Sequence, residues 1–176
     1  MCGIFGVANV KKAAELTVIG LHNNQHRAID YAGIVSSDGI HFYRSVGAGI
    51  ARQVFNKERI DGLHGNSALG HIRYPTVTDD KTRDNIQPIV GVYDGKPIAI
   101  AHNGNITNVD ELKKLVSVPM ATSMDTEYIL RLLEERCTGN IESDLVGVLS
   151  LLKGSFALAI LLPDLLIAVN DKSGNR

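Results

Sequence analysis

The spacing of apolar positions changes several times along the chain, and each change marks an element. Residues 3–9 (GIFGVAN) form a short apolar run bounded by Asn9, the signature of a buried strand. Over 11–24, Ala14, Val18 and Leu21 recur at helical spacing, which predicts an amphipathic helix. Residues 31–37 and 40–46 read as two strands of a hairpin, with Asp38-Gly39 in the turn. Strands follow at 67–73 and 97–102, separated by a polar loop over 74–96 with one short strand near 89–92. Asn108, with Glu111 three positions on, has the form of a capping box opening a helix over VDELKKLV. Ser123 or Asp125 caps the next helix, which carries Ile129, Leu130, Leu132 and Leu133, with Arg136 near its end. A third apolar-faced helix is expected at 142–152, then a closing hairpin of 155–162 and 165–170 around Pro163-Asp164. Strands, then helices, then strands indicate an α+β domain with two mostly antiparallel sheets packed face to face and helices outside.

Length and composition narrow the class. The 176 residues suffice for one domain with a sizeable core. A net charge of −1, with no block of like charges, gives no field that would favour nucleic acid or an anionic membrane. The longest apolar stretch, 156–169, is interrupted by Pro163-Asp164 and falls short of the ~20 residues of a membrane span. Two cysteines, Cys2 and Cys137, make no disulfide framework, and the start lacks the basic and apolar regions of a signal peptide. A cytoplasmic, reducing setting is expected, with no repeat or low-complexity segment.

Four short stretches are more polar than their surroundings: Cys2-Gly3, Gly70–Thr76, His102–Asn105 and Ser123–Thr126. If Met1 is removed, which the small second residue permits, Cys2 carries a nucleophilic sulfur and a free α-amine together. That amine, with a reference pKa of ~7.7–8.0, can act as general base. Asn103-Gly104 offers a side-chain amide and an unshielded backbone N–H as oxyanion donors. Arg73 can hold a carboxylate through two parallel bonds, and Asp125 can hold an ammonium. Such a set suits a free amino acid with a side-chain carbonyl. Each signal has a plainer reading: an inert cysteine, a turn at Asn-Gly, a surface Arg, a helix cap at Asp125. Cys137 is read as a helix-face residue. His22 and His26, at i and i+4, lack a third metal ligand and are given a structural role, and His71 and His102 are assigned to support of the neighbouring loops.

Taken together, MCGIFGV, GHIRYPT, HNGNITN and SMDTEYIL resemble the class II glutamine amidotransferases, in their order and spacing, from Cys2 to the C-terminus. The resemblance implies an N-terminal-nucleophile αββα four-layer sandwich without a cofactor or metal. It implies Cys2 as nucleophile with its α-amine as base, and Asn103 and Gly104 as the oxyanion pair. Arg73 would hold the substrate carboxylate with Thr76 assisting, and Asp125 would hold the substrate amine. Glutamine is the implied substrate, and a synthase domain or subunit the implied acceptor of ammonia. Tyr74-Pro75, Asn85–Pro88 and Asn105–Asn108 are similar to the amidophosphoribosyltransferase branch, which belongs to purine biosynthesis.

Two departures stand out. Ala28-Ile29 replaces the Gly-Gln usual in His26–Asp30, and the sequence stops near Asp171–Arg176, where relatives lead into a phosphoribosyltransferase domain. The whole of 1–176 is therefore expected to be one glutaminase domain with the synthase domain absent. Alternatives are a degenerate glutamine-binding scaffold, a free-standing subunit serving another synthase such as glutamate synthase, and a hydrolase of another amide. Oligomeric state, including a homo-oligomer, stays open.

Overall fold

The structure is a computed structural model describing residues 1–74 and 85–174. The elements in chain order are β1 (Gly3–Val7), α1 (Ala13–Asn23), a 3₁₀ turn (Gln25–Arg27), β2 (Tyr31–Ser37), β3 (Phe42–Ala48), α2 (Ala51–Val54) and α3 (Lys57–Asp61). They continue with β4 (Ser67–Arg73), β5 (Ile89–Tyr93), β6 (Lys96–Ile106), α4 (Val109–Leu112), α5 (Asp125–Glu135), α6 (Ile141–Leu149), β7 (Gly154–Leu161) and β8 (Leu166–Asn170).

The strands form two wholly antiparallel sheets, ordered β1-β4-β2-β3 and β5-β6-β7-β8. The two-residue alternation of each strand builds the layers. Ala32, Ile34, Ala68 and Ile72 of the first sheet pack with Ala13, Ala14 and Leu21 of α1. Ile98, Ile100 and Ile106 of β6 pack with Ile129, Leu130 and Leu133 of α5. The intervening positions, Val35 and Leu69 from one sheet and Ala99, Ala101, Ala159 and Leu161 from the other, meet in a third cluster between the sheets. The result is helix, sheet, sheet, helix, the αββα sandwich expected above.

Several boundaries differ from the sequence reading. Asp38 Oδ1 accepts the N–H groups of Ile40 (2.9 Å) and His41 (2.7 Å), so the first hairpin closes through residues 38–41 and β3 starts at Phe42. The helix expected after Asn108 is one turn long. Asn108 does not cap it by its side chain: Asn108 Oδ1 accepts from Lys153 N (2.9 Å), and its amide donates to Leu151 O (2.9 Å) and Glu111 Oε2 (3.3 Å). Cys137 lies past the end of α5, packed against the core, rather than on the helix face. The short helices α2 and α3 occupy a stretch to which the pattern assigned nothing. β6 extends to Ile106, so Asn103-Gly104 is strand and not turn.

Candidate active site

Pairing of β1 with β4 sets Gly3 opposite Ile72, so Cys2 stands next to Arg73 at the end of the first sheet. Arg27 Nε donates to the Cys2 carbonyl at 2.8 Å, fixing the start of the chain from the 3₁₀ turn. Met1 is exposed, and its ammonium is 3.4 Å from Arg27 O. A cleft of about 230 Å³ has Cys2, Arg73, Tyr74, Gln87, Gly104, Ser123 and Asp125 among its lining residues. Asn103 lines an adjoining cavity of about 200 Å³ that shares Cys2 with the cleft. Four of the other five sequence-predicted residues are thus gathered around Cys2, and Thr76 lies outside the described residues.

Arg73 is nearly buried at the mouth of the inter-sheet layer. Its guanidinium donates to Asn85 O and lies 3.1 Å from Met124 Sδ. Asp125 begins α5, where the helix N-terminus favours negative charge. Burial pushes the Asp125 carboxyl up, but the His102 ring and the N–H groups of Ile106 and Thr126 outweigh it, and the pKa lies below the ordinary value.

The hydrogen-bond pattern of β6 determines what Gly104 presents. Phe156, opposite Gly104 on β7, donates its N–H to Asp171 Oδ2 (2.7 Å) and accepts the Asp171 N–H (2.9 Å). Both main-chain groups of Phe156 therefore face away from Gly104, and the Gly104 N–H points to the other edge of β6. Among the described residues no strand pairs with that edge beyond the last β5 pair, Ile89–Ile100. The N–H groups of His102, Gly104 and Ile106 share it, because alternate residues point the same way. The outer two are taken, by Gln87 Oε1 (2.5 Å) and Asp125 Oδ2 (3.0 Å). The Gly104 N–H, between them, has no acceptor among the described residues and faces the cleft. Glycine is required here, since a Cβ would sit 2.2 Å from Ser155 O and 2.7 Å from His102 Nε2.

Sequence reasoning missed the residues that brace this edge. Gln87 Nε2 donates to Thr126 Oγ1 (3.1 Å) while its carbonyl oxygen holds the His102 N–H. Asn85 receives the Ser123 N–H (3.2 Å) and donates to Ser123 Oγ (3.0 Å). Glu127, buried, accepts from Ala121 N, Thr122 N and Thr122 Oγ1 at 2.6–2.9 Å and pairs with Arg131, shaping the segment that leads into α5. Asn85, Ile86 and Gln87 are all buried, which a polar-apolar-polar pattern does not signal. In the departing stretch, Ala28 is buried at φ −163°, extended backbone open to any residue, and Ile29 is 61% exposed. Neither residue is among those lining the cleft or the adjoining cavity. Among the described residues no three His, Cys, Asp or Glu are grouped to hold a metal ion, and no helix is long and apolar enough to cross a membrane.

A two-sheet sandwich with a cysteine at the strand end, an arginine beside it and a presented N–H defines a class before any comparison is made. Residues 71–176 match the family described as "Glutamine amidotransferase domain", and the chain belongs to that family. It is 36% identical to the amidophosphoribosyltransferase of Staphylococcus aureus (strain Mu50 / ATCC 700699), over 99% of this chain and 36% of that protein. It is 38% identical to the amidophosphoribosyltransferase of Methanocaldococcus jannaschii, over 99% of this chain and 38% of the relative. Its fold superposes with a TM-score of 0.90 and 30% identity on the Bacillus subtilis glutamine phosphoribosylpyrophosphate amidotransferase solved with ADP and GMP, covering all of this chain and 38% of that one. A predicted glutamine amidotransferase from Pseudomonas aeruginosa shares the fold alone, with a TM-score of 0.56 and 18% identity over 81% of this chain and 60% of that one. The chain spans a little over a third of the length of the curated relatives it matches.

Proposed function

We propose that the chain hydrolyses glutamine to glutamate and ammonia through a thioester on Cys2, as the glutaminase part of an amidophosphoribosyltransferase-like enzyme of purine biosynthesis. The observation that carries this reading is the Gly104 N–H, which faces the cleft with no acceptor among the described residues, between two N–H groups that side chains have taken. A donor fixed in this way costs no reorganisation when an oxyanion forms beside it. The Asn103 amide, next to Cys2 in the adjoining cavity, supplies the second donor.

The remaining roles follow from charge and place. Arg73 binds the α-carboxylate of glutamine, with Thr76 assisting, and Asp125 binds the α-ammonium, which puts the side-chain amide over Cys2. With Met1 removed, the Cys2 α-amine takes the thiol proton as sulfur attacks the amide carbon. The tetrahedral oxyanion is held by Asn103 and Gly104. Its collapse expels ammonia, protonated by the same amine, and leaves the thioester. Water, activated by the amine, then adds to the acyl carbon, releases glutamate and restores the thiol. Arg27 holds Cys2 through the carbonyl, a contact that loss of Met1 leaves in place. Residues 1–176 act as one glutaminase domain, and ammonia passes to a synthase domain or subunit in the cytoplasm.

Glutamine-dependent ammonia release, measured on protein whose N-terminus is checked by intact mass, tests the reading. Activity is expected only where Met1 is absent. Cys2→Ala and Cys2→Ser are expected to remove it, and turnover at the unmodified rate in either variant excludes the mechanism.

A further inference from the structure

We propose that His102 is a positioning residue for substrate recognition: its imidazole holds the Asp125 carboxylate in the orientation that receives the α-ammonium of glutamine. The proposal rests on the reading that Asp125 binds that ammonium.

The side chains of β6 alternate. Odd positions such as Ala99 and Ala101 face the first sheet, and even positions such as Ile98 and Ile100 face α5. His102 therefore lies on the opposite face from Asn103, under the first turn of α5. The ring is 3% exposed. Its Nδ1 is 3.1 Å from Thr126 Oγ1 and 3.4 Å from Asp125 Oδ1, and since a carboxylate only accepts, pairing with Asp125 requires the hydrogen on Nδ1. The other carboxylate oxygen, Oδ2, takes the Ile106 N–H at 3.0 Å. Asp125 is thus steadied through both oxygens while the carboxylate still lines the cleft.

The other ring nitrogen supports this assignment. His102 Nε2 is buried without a partner among the described residues and lies against Gly104. A carbon ring of similar shape would fill that space without desolvating a nitrogen. The use of imidazole therefore lies in Nδ1, which faces Asp125. The ring is itself fixed: Gln87 bonds the His102 N–H and the Thr126 hydroxyl, so one side chain sets both the strand and the hydroxyl beside the ring.

The test compares glutamine with glutaramate, the same molecule without its α-amino group, by ammonia release. Asp125→Ala reports the value of the ammonium contact. His102→Leu keeps volume without nitrogen. His102→Asn places an amide N–H near the position of Nδ1, and His102→Gln places one near Nε2. His102→Leu and His102→Gln are expected to raise the glutamine KM by roughly tenfold, the loss expected for a weakened charge-assisted contact, with a smaller change in kcat. Their kinetics on glutaramate should stay within about twofold of the unmodified chain, and His102→Asn should recover most of the glutamine KM.

Equal losses on both substrates in His102→Leu, or no difference between His102→Asn and His102→Gln, would overturn the proposal, since ring packing would then explain the effect. The Asn and Gln pair keeps the comparison informative if His102→Leu does not fold. Lost discrimination in Asp125→Ala with intact discrimination in both His102→Leu and His102→Gln would overturn the His102 role alone. Intact discrimination in Asp125→Ala would overturn the Asp125 assignment and this proposal with it.

Discussion

His71 shows what the inter-sheet space does to one side chain. Its Nε2 donates to the His102 carbonyl at 3.1 Å, and its Nδ1 has no partner among the described residues. Burial lowers its pKa to about 3; the His102 carbonyl opposes the shift, and the Arg73 charge adds to it. The unfolded chain therefore takes a proton near the ordinary histidine value of ~6.5, while the folded chain does not until far lower pH. Stability from this group is complete above that value and is lost as pH falls toward the folded pKa. Denaturant unfolding between pH 6.5 and 4.5 should show stability declining with a slope of at most about 1.4 kcal/mol per pH unit. Asp125 and Glu127, whose pKa values are lowered, lose their contributions below that window. His71→Gln, which keeps a donor for the carbonyl but does not titrate, should flatten the slope. An unchanged slope in that variant would assign the pH dependence elsewhere.

Among the elements, β6 bears most of the design. Its inner face meets the other sheet, its outer face meets α5, and the edge beyond β5 presents the Gly104 N–H to the cleft. Gly104→Ala would press a Cβ to within 2.2 Å of Ser155 O and 2.7 Å of Phe156 Cα, both main-chain atoms of β7 that cannot rotate aside. Thermal melting should show a loss of about 1–3 kcal/mol, as for an overpacked interior, and glutamine turnover should fall with it. A variant as stable as the parent would mean that β7 yields more readily than its two-sided pairing implies.

Much of this element was legible in sequence, because Ile98, Ile100 and the alanines alternate cleanly. Its far end was not. Asn103, Gly104 and Asn105 have the composition of a turn, and only pairing with Ala157, Phe156 and Ser155 makes them strand. The same holds at Asn108, whose side chain bonds Leu151 and Lys153, more than forty residues away, as well as Glu111, whereas at Asp38 side-chain bonds to Ile40 and His41 lengthened a hairpin loop. Apolar pattern reports neither side-chain bonds within a turn nor the distant partners that govern the end of β6 and Asn108. The proposed site was legible because the family resemblance named Cys2, Arg73, Asn103, Gly104 and Asp125, which the fold brings around one cleft and its adjoining cavity. Gln87 and His102 were not placed in it, because their bonds depend on the close approach of a loop, a strand and a helix.

In the whole molecule, the site belongs to neither sheet alone. Cys2 and Arg73 come from the first, Asn103 and Gly104 from the second, and Asp125 from the helix layer behind it. What sets their separation is the thin cluster in which Ala99, Ala101 and Ala159 face Val35 and Leu69. Small side chains there let the sheets approach closely, and a larger one has nowhere to go but outward. Ala101→Leu should cost about 1–3 kcal/mol in thermal unfolding, because the interior is already filled. Turnover should fall further than stability: a displacement near 1 Å between reacting groups can cost ~100-fold in rate. A folded but slow Ala101→Leu protein, by circular dichroism and ammonia assay together, is the expected result, and full activity would show that the sheets accommodate the change without moving apart. The alanine layer thus works as a caliper whose jaws are the two sheets, and the rate of glutamine turnover is the scale on which its opening would be read.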